Sequence, residues 1–291
     1  MNLTSIKTIK ELLARHGFAF SKSLGQNFLI NPSVCLKIAS EGRDVIDYAP
    51  CVFEIGAGIG VLTKELSRTC KKVVCVEIDR ALEPILAETL ADCSNVEIVW
   101  GDVMKIDLAE LFAQKFEGEE EIICCANLPY YITSPVIMRL LEERLPLKTI
   151  TVMVQKEAAL RLCSPVGSRD CGAVSVAVRY YSEPKKLFNV SRGSFIPAPS
   201  VDSAVIRLKV HGGERYRGDV SDERLFFRIV RAAFSQRRKQ LANPVSEELN
   251  LPKERIKAAL SACDLNTSAR AEDLTLEEFI KLYNNINREN I

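Results

Sequence analysis

Five short apolar runs between residues 51 and 155 alternate with amphipathic segments, and this alternation constrains the fold more than any other feature. The runs are CVFEIG (51–56), KVVCVEID (72–79), VEIVW (96–100), EIICCAN (121–127) and TITVMVQ (149–155). Such runs predict buried strands, and the amphipathic segments between them predict helices. Because strands that alternate with helices pair in parallel, the pattern predicts an α/β fold with a mostly parallel sheet.

Two further strand-like runs would bring the sheet to seven strands. They are AVSVAVRYY (173–181) and SAVIRLKV (203–210). The second alternates apolar and polar residues, so we expect it to be an antiparallel addition. After a polar, glycine-containing stretch the pattern becomes helical to the end of the chain. We therefore predict an α/β domain over 1–212, with a helical extension at 1–20, and a small all-α domain over 213–291.

Composition limits the class of protein. The chain has 291 residues, of which 47% are hydrophobic, and it has no apolar run of the length that a membrane span needs. The N-terminus lacks the features of a secretory signal, so we expect a soluble, cytoplasmic protein. Ten cysteines occur without any C-x-x-C pair, and there are only two histidines. This scatter predicts buried free thiols and no metal centre.

A glycine-rich turn and two acidic residues predict a nucleoside pocket. Gly56, Gly58 and Gly60 follow the first strand of the α/β pattern, Glu77 ends the second, and Asp102 follows the third. Glycines let the backbone approach a ligand closely. An acid after the second strand can accept both ribose hydroxyls. Either acid alone is equally compatible with a helix cap or a turn, but all three features on successive strands favour the pocket.

The turn Asn127-Leu128-Pro129-Tyr130 follows the fourth strand and indicates the chemistry. An adenine amino nitrogen is a poor nucleophile, because its lone pair is delocalised into the ring. Two acceptors, the Asn127 side-chain oxygen and the Leu128 carbonyl, would favour a pyramidal amino group aimed at a methyl donor. Pro129 would stiffen the turn, and Tyr130 would stack on the base. The alternative is an ordinary turn, which its position beside the predicted pocket disfavours.

Charge is distributed unevenly along the chain. Residues 186–291 carry a net charge of +4 and residues 1–185 carry −3, and the segment 224–241 has six basic residues and no acidic one. This segment predicts a surface that faces a polyanion, although a solvated helix face is the commoner fate of such a run. The predicted RNA contacts within it are Arg231, Arg237, Arg238 and Lys239.

Taken together, the motifs resemble the ribosomal RNA adenine dimethyltransferase family, and within it the bacterial members that act on the small subunit. The resemblance runs from about Ser21 to Tyr283. It rests on Leu24–Leu29 (LGQNFL), Glu54–Gly60 (EIGAGIG), Val76–Asp79, Asn127–Tyr130, Gln155–Glu157, Phe195–Ser203 (FIPAPSVDS) and Phe234–Lys239 (FSQRRK). Ala57 stands where the family usually has proline, and Gln240 stands where it usually has threonine. Neither departure removes the chemistry.

The resemblance implies a Rossmann-like class I methyltransferase that uses S-adenosyl-L-methionine. It implies cofactor contacts from Asn27, Leu29, Gly56, Glu77, Asp102 and Asn127, to which the glycine loop adds Gly58. It also implies that Tyr130 and Phe195 flank the target adenine. The implied substrate is a pair of adjacent adenosines near the 3′ end of 16S rRNA, each dimethylated within a small-subunit assembly intermediate. We expect the enzyme to be a monomer and to have a role in ribosome biogenesis.

Three alternatives stay open at this point. A large-subunit RNA methyltransferase would share the fold, and a non-catalytic assembly factor would use it only as a scaffold. A nicotinamide-dependent oxidoreductase is disfavoured, because Val61 occupies the third small-residue position of the dinucleotide fingerprint.

Overall fold

The computed structural model describes residues 1–21, 24–43 and 49–288. The strands in these ranges are β1 (Phe28–Leu29), β2 (Cys51–Ile55), β3 (Lys72–Glu77), β4 (Val96–Trp100), β5 (Ile122–Asn127), β6 (Leu147–Gln155), β7 (Ser182–Val190), β8 (Phe195–Ile196) and β9 (Ser203–Val210). The helices are α1 (Ile6–Arg15), α2 (Pro32–Arg43), α3 (Val61–Ser67), α4 (Glu83–Thr89), α5 (Leu108–Lys115), α6 (Thr133–Glu142), α7 (Lys156–Cys163), α8 (Ala173–Tyr181), α9 (Glu223–Ser235), α10 (Ala242–Leu249), α11 (Lys253–Ala262) and α12 (Leu276–Arg288).

Seven strands form one sheet in the order β4-β3-β2-β5-β6-β9-β7. The five strands from β4 to β6 in this order pair in parallel. Strand β9 runs antiparallel to β6, with Gln155 opposite Ser203. The seven-stranded, mostly parallel α/β sheet is therefore confirmed, as is the antiparallel placement of residues 203–210.

Both faces of the sheet are covered, which explains why its central strands are apolar along their whole length. On one face, Val52 belongs to a buried cluster that includes Ile9 of α1, Ile38 of α2 and Leu66 of α3. The side chain after Val52 points to the other face, where the Phe53 and Phe112 rings lie 5.1 Å apart. All five residues of β2 are buried. The sheet is thus a middle layer, and only its strand ends are free to form a site.

Residues 173–181 form helix α8, so the prediction of a strand there is wrong. Six of its nine residues are buried, including Tyr180 and Tyr181. A short helix that is buried on most sides has no polar face, so its sequence lacks the amphipathic pattern of a helix. Its valines are residues that are common in strands, and the run therefore predicts a strand from the sequence. The strand that takes the seventh place is β7, which lies at the end of the sheet and contains Pro184 and two lysines. Edge strands tolerate proline and charge, so the sequence of β7 lacks a strand pattern.

The chain divides into two compact units. One comprises residues 1–159 and 184–210, and the other comprises 160–183 and 211–291. The segment 160–183 groups with the C-terminal helices, because the Tyr180 and Tyr181 hydroxyls donate to the two Glu223 carboxylate oxygens at 2.9 and 3.1 Å. The single predicted boundary at residue 212 does not anticipate this grouping. The assignment of catalysis and RNA binding to separate domains stays a prediction.

None of the helices in the described ranges is both long enough and apolar enough to cross a bilayer. The ten cysteine thiols are free. Burial raises the pKa of Cys35 to about 12 and that of Cys51 to about 11, so these thiols are neutral at physiological pH. In the described part of the chain, no group of three or more His, Cys, Asp and Glu side chains is arranged to hold a metal ion.

Candidate active site

The carboxyl ends of the parallel strands surround a cavity of about 200 Å³. The rule for open α/β sheets places ligands in this crevice. Ten of the residues that the sequence analysis singled out line the cavity, among them Gly56, Gly58, Glu77, Asp102 and Asn127. These five follow or end strands β2 to β5, so the order of the sheet brings them together.

The loop after β2 presents backbone to this cavity. Gly58 has a φ of +56°, and a Cβ atom built on it would lie 3.3 Å from Cδ1 of Phe28. Any side chain at this position would be strained and would crowd the loop. The Gly58 amide donates to Oε2 of Glu77 at 3.1 Å. The glycine is therefore needed for the path of the loop and for the contact that fixes the adjacent acid.

Glu77 is held in place by two backbone donors. Its Oε2 accepts the Gly58 amide, and its Oε1 accepts the Asp79 amide at 2.9 Å. The side chain is buried, and burial raises its pKa above the ordinary value despite these two hydrogen bonds. A carboxylate oxygen can accept more than one hydrogen bond. The oriented oxygens of Glu77 can therefore also accept the two hydroxyls of a ribose.

A two-stranded sheet brings two distant motifs to one wall of the cavity. Strand β1 pairs antiparallel with β8, with Leu29 opposite Phe195. Gln26, just before β1, donates through Nε2 to Oδ2 of Asp79 at 2.6 Å and accepts the Ser21 amide through Oε1 at 2.8 Å. The segment before β1 is thereby tied to the chain that follows β3. Sequence reasoning included Gln26 in a motif but gave it no role.

Leu29 and Asp102 border different cavities. Leu29 is buried and borders a small adjoining cavity beside Asn27 and Gly58 instead of the main one. Asp102 lines the main cavity, and its Oδ1 accepts the Met104 amide at 2.9 Å. Its other oxygen is 3.6 Å from Nζ of Lys105. Asp102 therefore both caps a turn and places a carboxylate on the cavity. The sequence alone had presented these two roles as alternatives.

Asn127 has a fixed amide orientation. Its Nδ2 donates to the backbone carbonyl of Asn27 at 3.3 Å. This contact assigns the amide nitrogen to a protein partner and leaves Oδ1 as an acceptor for a ligand. The next residue, Leu128, donates its own amide to Met153 at 3.2 Å, and no donor in the described ranges bonds to its carbonyl. Asn127 and Leu128 thus offer the two acceptors that the sequence predicted.

Two aromatic side chains border the same cavity. The Tyr130 hydroxyl lies 2.7 Å from Oγ of Ser203, which anchors the far end of the ring. Partial burial raises the pKa of Tyr130, so the phenol stays neutral. Phe195 is buried and lines the cavity from β8. An apolar slot of this kind suits a planar base.

These residues fit S-adenosylmethionine as the methyl donor. The oriented Glu77 carboxylate matches a ribose, and the open space beside Gly56, where a Cβ atom would meet nothing within 4 Å, lets a ligand approach the backbone closely. Asp102 provides an acid at the place expected for an adenine amino group. The donor supplies an electrophilic methyl group, and the acceptors of the Asn127 turn lie on the same cavity.

The predicted RNA contacts fall into two groups. Arg231, Arg238 and Lys239 are exposed on the C-terminal unit. Arg237 is also exposed, but its guanidinium donates to the backbone carbonyls of Arg169 and Cys171 at 2.6 and 3.1 Å and lies 3.5 Å from the Glu272 carboxylate. Arg237 therefore holds the loop before α8 in place, and its predicted contact with RNA stays a prediction.

The match to a protein family covers almost the whole chain. Residues 17–288 match the family model described as ribosomal RNA adenine dimethylase. Two similar proteins are both named ribosomal RNA small subunit methyltransferase A. The protein from Geobacillus sp. (strain WCH70) is 45% identical over 280 residues, or 94% of each chain. The protein from Alkaliphilus oremlandii (strain OhILAs) is 44% identical over 285 residues, or 98% of each chain.

Solved structures agree with this match. A dimethyladenosine transferase from Plasmodium falciparum superposes with a TM-score of 0.72 at 26% identity, over 91% of this chain and 98% of that one. The 23S rRNA methyltransferase ErmE superposes with a TM-score of 0.67 at 25% identity, over 90% of this chain and 100% of that one. Because the family model covers nearly its full length and relatives 44–45% identical cover at least 94% of it, the chain belongs to the ribosomal RNA adenine dimethylase family.

Proposed function

We propose that this methyltransferase dimethylates the 6-amino groups of two adjacent adenosines near the 3′ end of 16S rRNA, with S-adenosylmethionine as the donor. The observation that carries the proposal is the Asn127 side chain, which lines the same cavity as Glu77 and whose amide nitrogen is held by the Asn27 carbonyl. The names of the relatives that are 44–45% identical to this chain support the small subunit as the target.

The donor is bound by the residues around the glycine loop. Glu77 would accept the ribose hydroxyls, Asp102 would accept the adenine amino group, and the Gly56–Gly58 backbone would approach the amino-acid end. Asn27 acts through its carbonyl, which orients Asn127. Leu29 supports this wall from the adjoining cavity.

The target adenine would lie between Tyr130 and Phe195. Oδ1 of Asn127 and the Leu128 carbonyl would each accept one amino hydrogen and stabilise the positive charge that develops on nitrogen. Pro129 stiffens the turn, and its own carbonyl accepts the Ile132 amide at 3.2 Å. The methylated nitrogen is acidic and releases its proton to water. Catalysis then rests on alignment of the amine with the methyl group.

The second transfer to the same nitrogen has a different requirement. After the first methyl group is added, only one amino hydrogen remains, so one of the two acceptors is sufficient. The apolar Tyr130 and Phe195 side chains can accommodate the added methyl group next to the base. The same site can therefore complete dimethylation without a second set of residues.

The exposed basic residues of the C-terminal unit would contact RNA phosphates. Arg231, Arg238 and Lys239 are the members of this set that are free to do so. The substrate would be an assembly intermediate of the small subunit, and the enzyme would act as a monomer in the cytoplasm. Such a substrate links methylation to ribosome biogenesis.

Large-subunit RNA is the second candidate substrate, favoured by the likeness to the 23S rRNA methyltransferase ErmE. One experiment separates the two. The protein is incubated with labelled S-adenosylmethionine and, in parallel, with unmethylated small subunits and with large subunits, and modified bases are mapped. We expect two dimethylated adenosines near the 3′ end of 16S rRNA and no label in 23S rRNA. Label in 23S rRNA alone would reverse the assignment.

A further inference from the structure

A second tyrosine lies at the mouth of the active-site cavity. Tyr131 borders the cavity together with Tyr130, yet 58% of its surface is exposed, more than for any other large apolar side chain of the described residues. The adenosine slot described above uses Tyr130 and Phe195 and leaves Tyr131 without a role.

The two consecutive tyrosines are held differently. Tyr130 is partly buried, and its hydroxyl is anchored by Ser203 at 2.7 Å. Tyr131 has no hydrogen bond in the described part of the chain. One edge of its ring rests near Gly25, where a Cβ atom would lie 3.5 Å from both Cδ1 and Cε1. The ring is therefore supported along one edge, while much of its surface is open to a ligand.

We propose that Tyr131 is a stacking platform for the base next to the target adenosine. The inference rests on the proposed function, in which the target is part of an RNA chain. When one adenosine leaves the base stack to enter the cavity, the neighbouring base loses a stacking partner. That base remains one nucleotide away from the mouth of the cavity. An exposed aromatic ring at that distance can replace the lost stack.

This arrangement would favour a purine beside the target. Stacking on an aromatic ring tolerates every base but is stronger for a larger ring system, so it produces preference without hydrogen-bond readout. With two adjacent adenosines, each would serve as the neighbour while the other is methylated. Tyr131 would then contribute to the choice of an adenosine pair over an isolated adenosine.

Three variants of Tyr131 test whether its aromatic ring stacks on a base of the RNA. Loss of one base–aromatic stack typically weakens binding about 5- to 150-fold. We expect Tyr131→Ala to raise the KM for RNA by that factor, with little change in affinity for S-adenosylmethionine. Tyr131→Leu should behave like Tyr131→Ala, whereas Tyr131→Phe should retain most of the wild-type affinity. The matched control is Leu36→Ala on α2, where an apolar side chain that is 56% exposed lies outside the cavity lining.

An abasic substrate identifies the partner of the ring. Small subunits are assembled with a synthetic 3′ RNA segment that lacks the base on the 5′ or the 3′ side of one target adenosine. We expect one of these substrates to lower the activity of the wild type to that of Tyr131→Ala and to lower the variant no further. This lack of additivity would show that the side chain and the missing base act together.

Two results would overturn the proposal. One is wild-type behaviour of Tyr131→Leu on intact substrate, and the other is full additivity of Tyr131→Ala with both abasic substrates. Failure of the proposed function is a separate outcome, because the wild-type protein would then not methylate intact small subunits at all.

Discussion

The Asn127 side chain donates through Nδ2 to the backbone carbonyl of Asn27 at 3.3 Å, which links the end of β5 to the segment before β1. The amide nitrogen therefore already has a protein partner, which leaves the amide oxygen of this cavity-lining side chain as the acceptor for a ligand. Because the acceptor on Asn27 is a backbone atom, the contact does not depend on the Asn27 side chain. It depends on the path of the chain, which Gln26 fixes through Asp79.

Replacement of Asn127 by alanine should abolish methyl transfer. The variant loses one acceptor for the amino hydrogens and the charge stabilisation that it provides, a loss typically worth about 100- to 1000-fold in rate. RNA binding should be nearly unchanged, since the basic surface is untouched. Single-turnover transfer of labelled methyl groups and a filter-binding assay measure the two properties. Asn127→Ala with more than a tenth of the wild-type rate would exclude the proposed role.

Replacement of Glu77 by glutamine should weaken binding of S-adenosylmethionine. Glutamine loses the charge, and its amide group would face the Gly58 or Asp79 amide that now donates to the carboxylate. Hydrogen bonds to a charged group contribute about 1.5–3 kcal/mol, so we expect an affinity about 10- to 150-fold lower. Calorimetric titration with the donor checks this.

The matched control for Glu77 is Glu97→Gln on β4. The Glu97 carboxylate is partly exposed and pairs with Lys115, and it does not line the cavity. This variant removes a charge of the same sign one strand away and should bind the donor like the wild type. Equal weakening in both variants would mean that overall charge, and not the position of Glu77, determines the affinity.

The pocket acids and the Asn127 turn were predictable because each marks the end of a parallel strand. Strand order then requires these ends to meet, so periodicity and motif spacing locate the site without side-chain detail. The Tyr131 platform was not predictable in this way. The position of its ring beside Gly25 is a three-dimensional contact, and its exposure leaves no periodic signal in the sequence.

Two other features escaped sequence reasoning for physical reasons. The α8 helix is buried on most sides, so its apolar run has the composition of a strand. Arg237 lies in a basic run, and a run alone cannot distinguish a phosphate-binding side chain from one that binds backbone carbonyls. Its contacts with the Arg169 and Cys171 carbonyls and with the Glu272 carboxylate distinguish Arg237 from its neighbours.

The basic residues should therefore give two phenotypes. Each phosphate contact contributes about 0.7–0.9 to the slope of log affinity against log salt concentration. Combined replacement of Arg231, Arg238 and Lys239 by alanine should lower this slope by about 2 to 3. Arg237→Ala should instead lower the melting temperature, because the carbonyls of residues 169 and 171 lose their donor. A triple variant with an unchanged slope would indicate a solvated surface.

The buried Glu54 carboxyl group should make the free energy of unfolding of the protein depend on pH. This group is fully buried, and burial raises its pKa to about 8 although the neighbouring Thr63 hydroxyl and Cys75 thiol lower it. The folded state thus holds a proton that the unfolded chain releases near pH 4.5. Stability from this group is complete below pH 4.5, falls as the pH rises to about 8, and is constant above that value.

The Glu54→Gln variant keeps the shape of the neutral acid and removes its titration. We expect the variant to be as stable as the wild type near pH 5 and to become progressively more stable than it up to about pH 8. Urea unfolding between pH 5 and 9 measures the difference. Parallel stability curves across this range would mean that Glu54 is ionised in the folded protein and that its burial is compensated by another group.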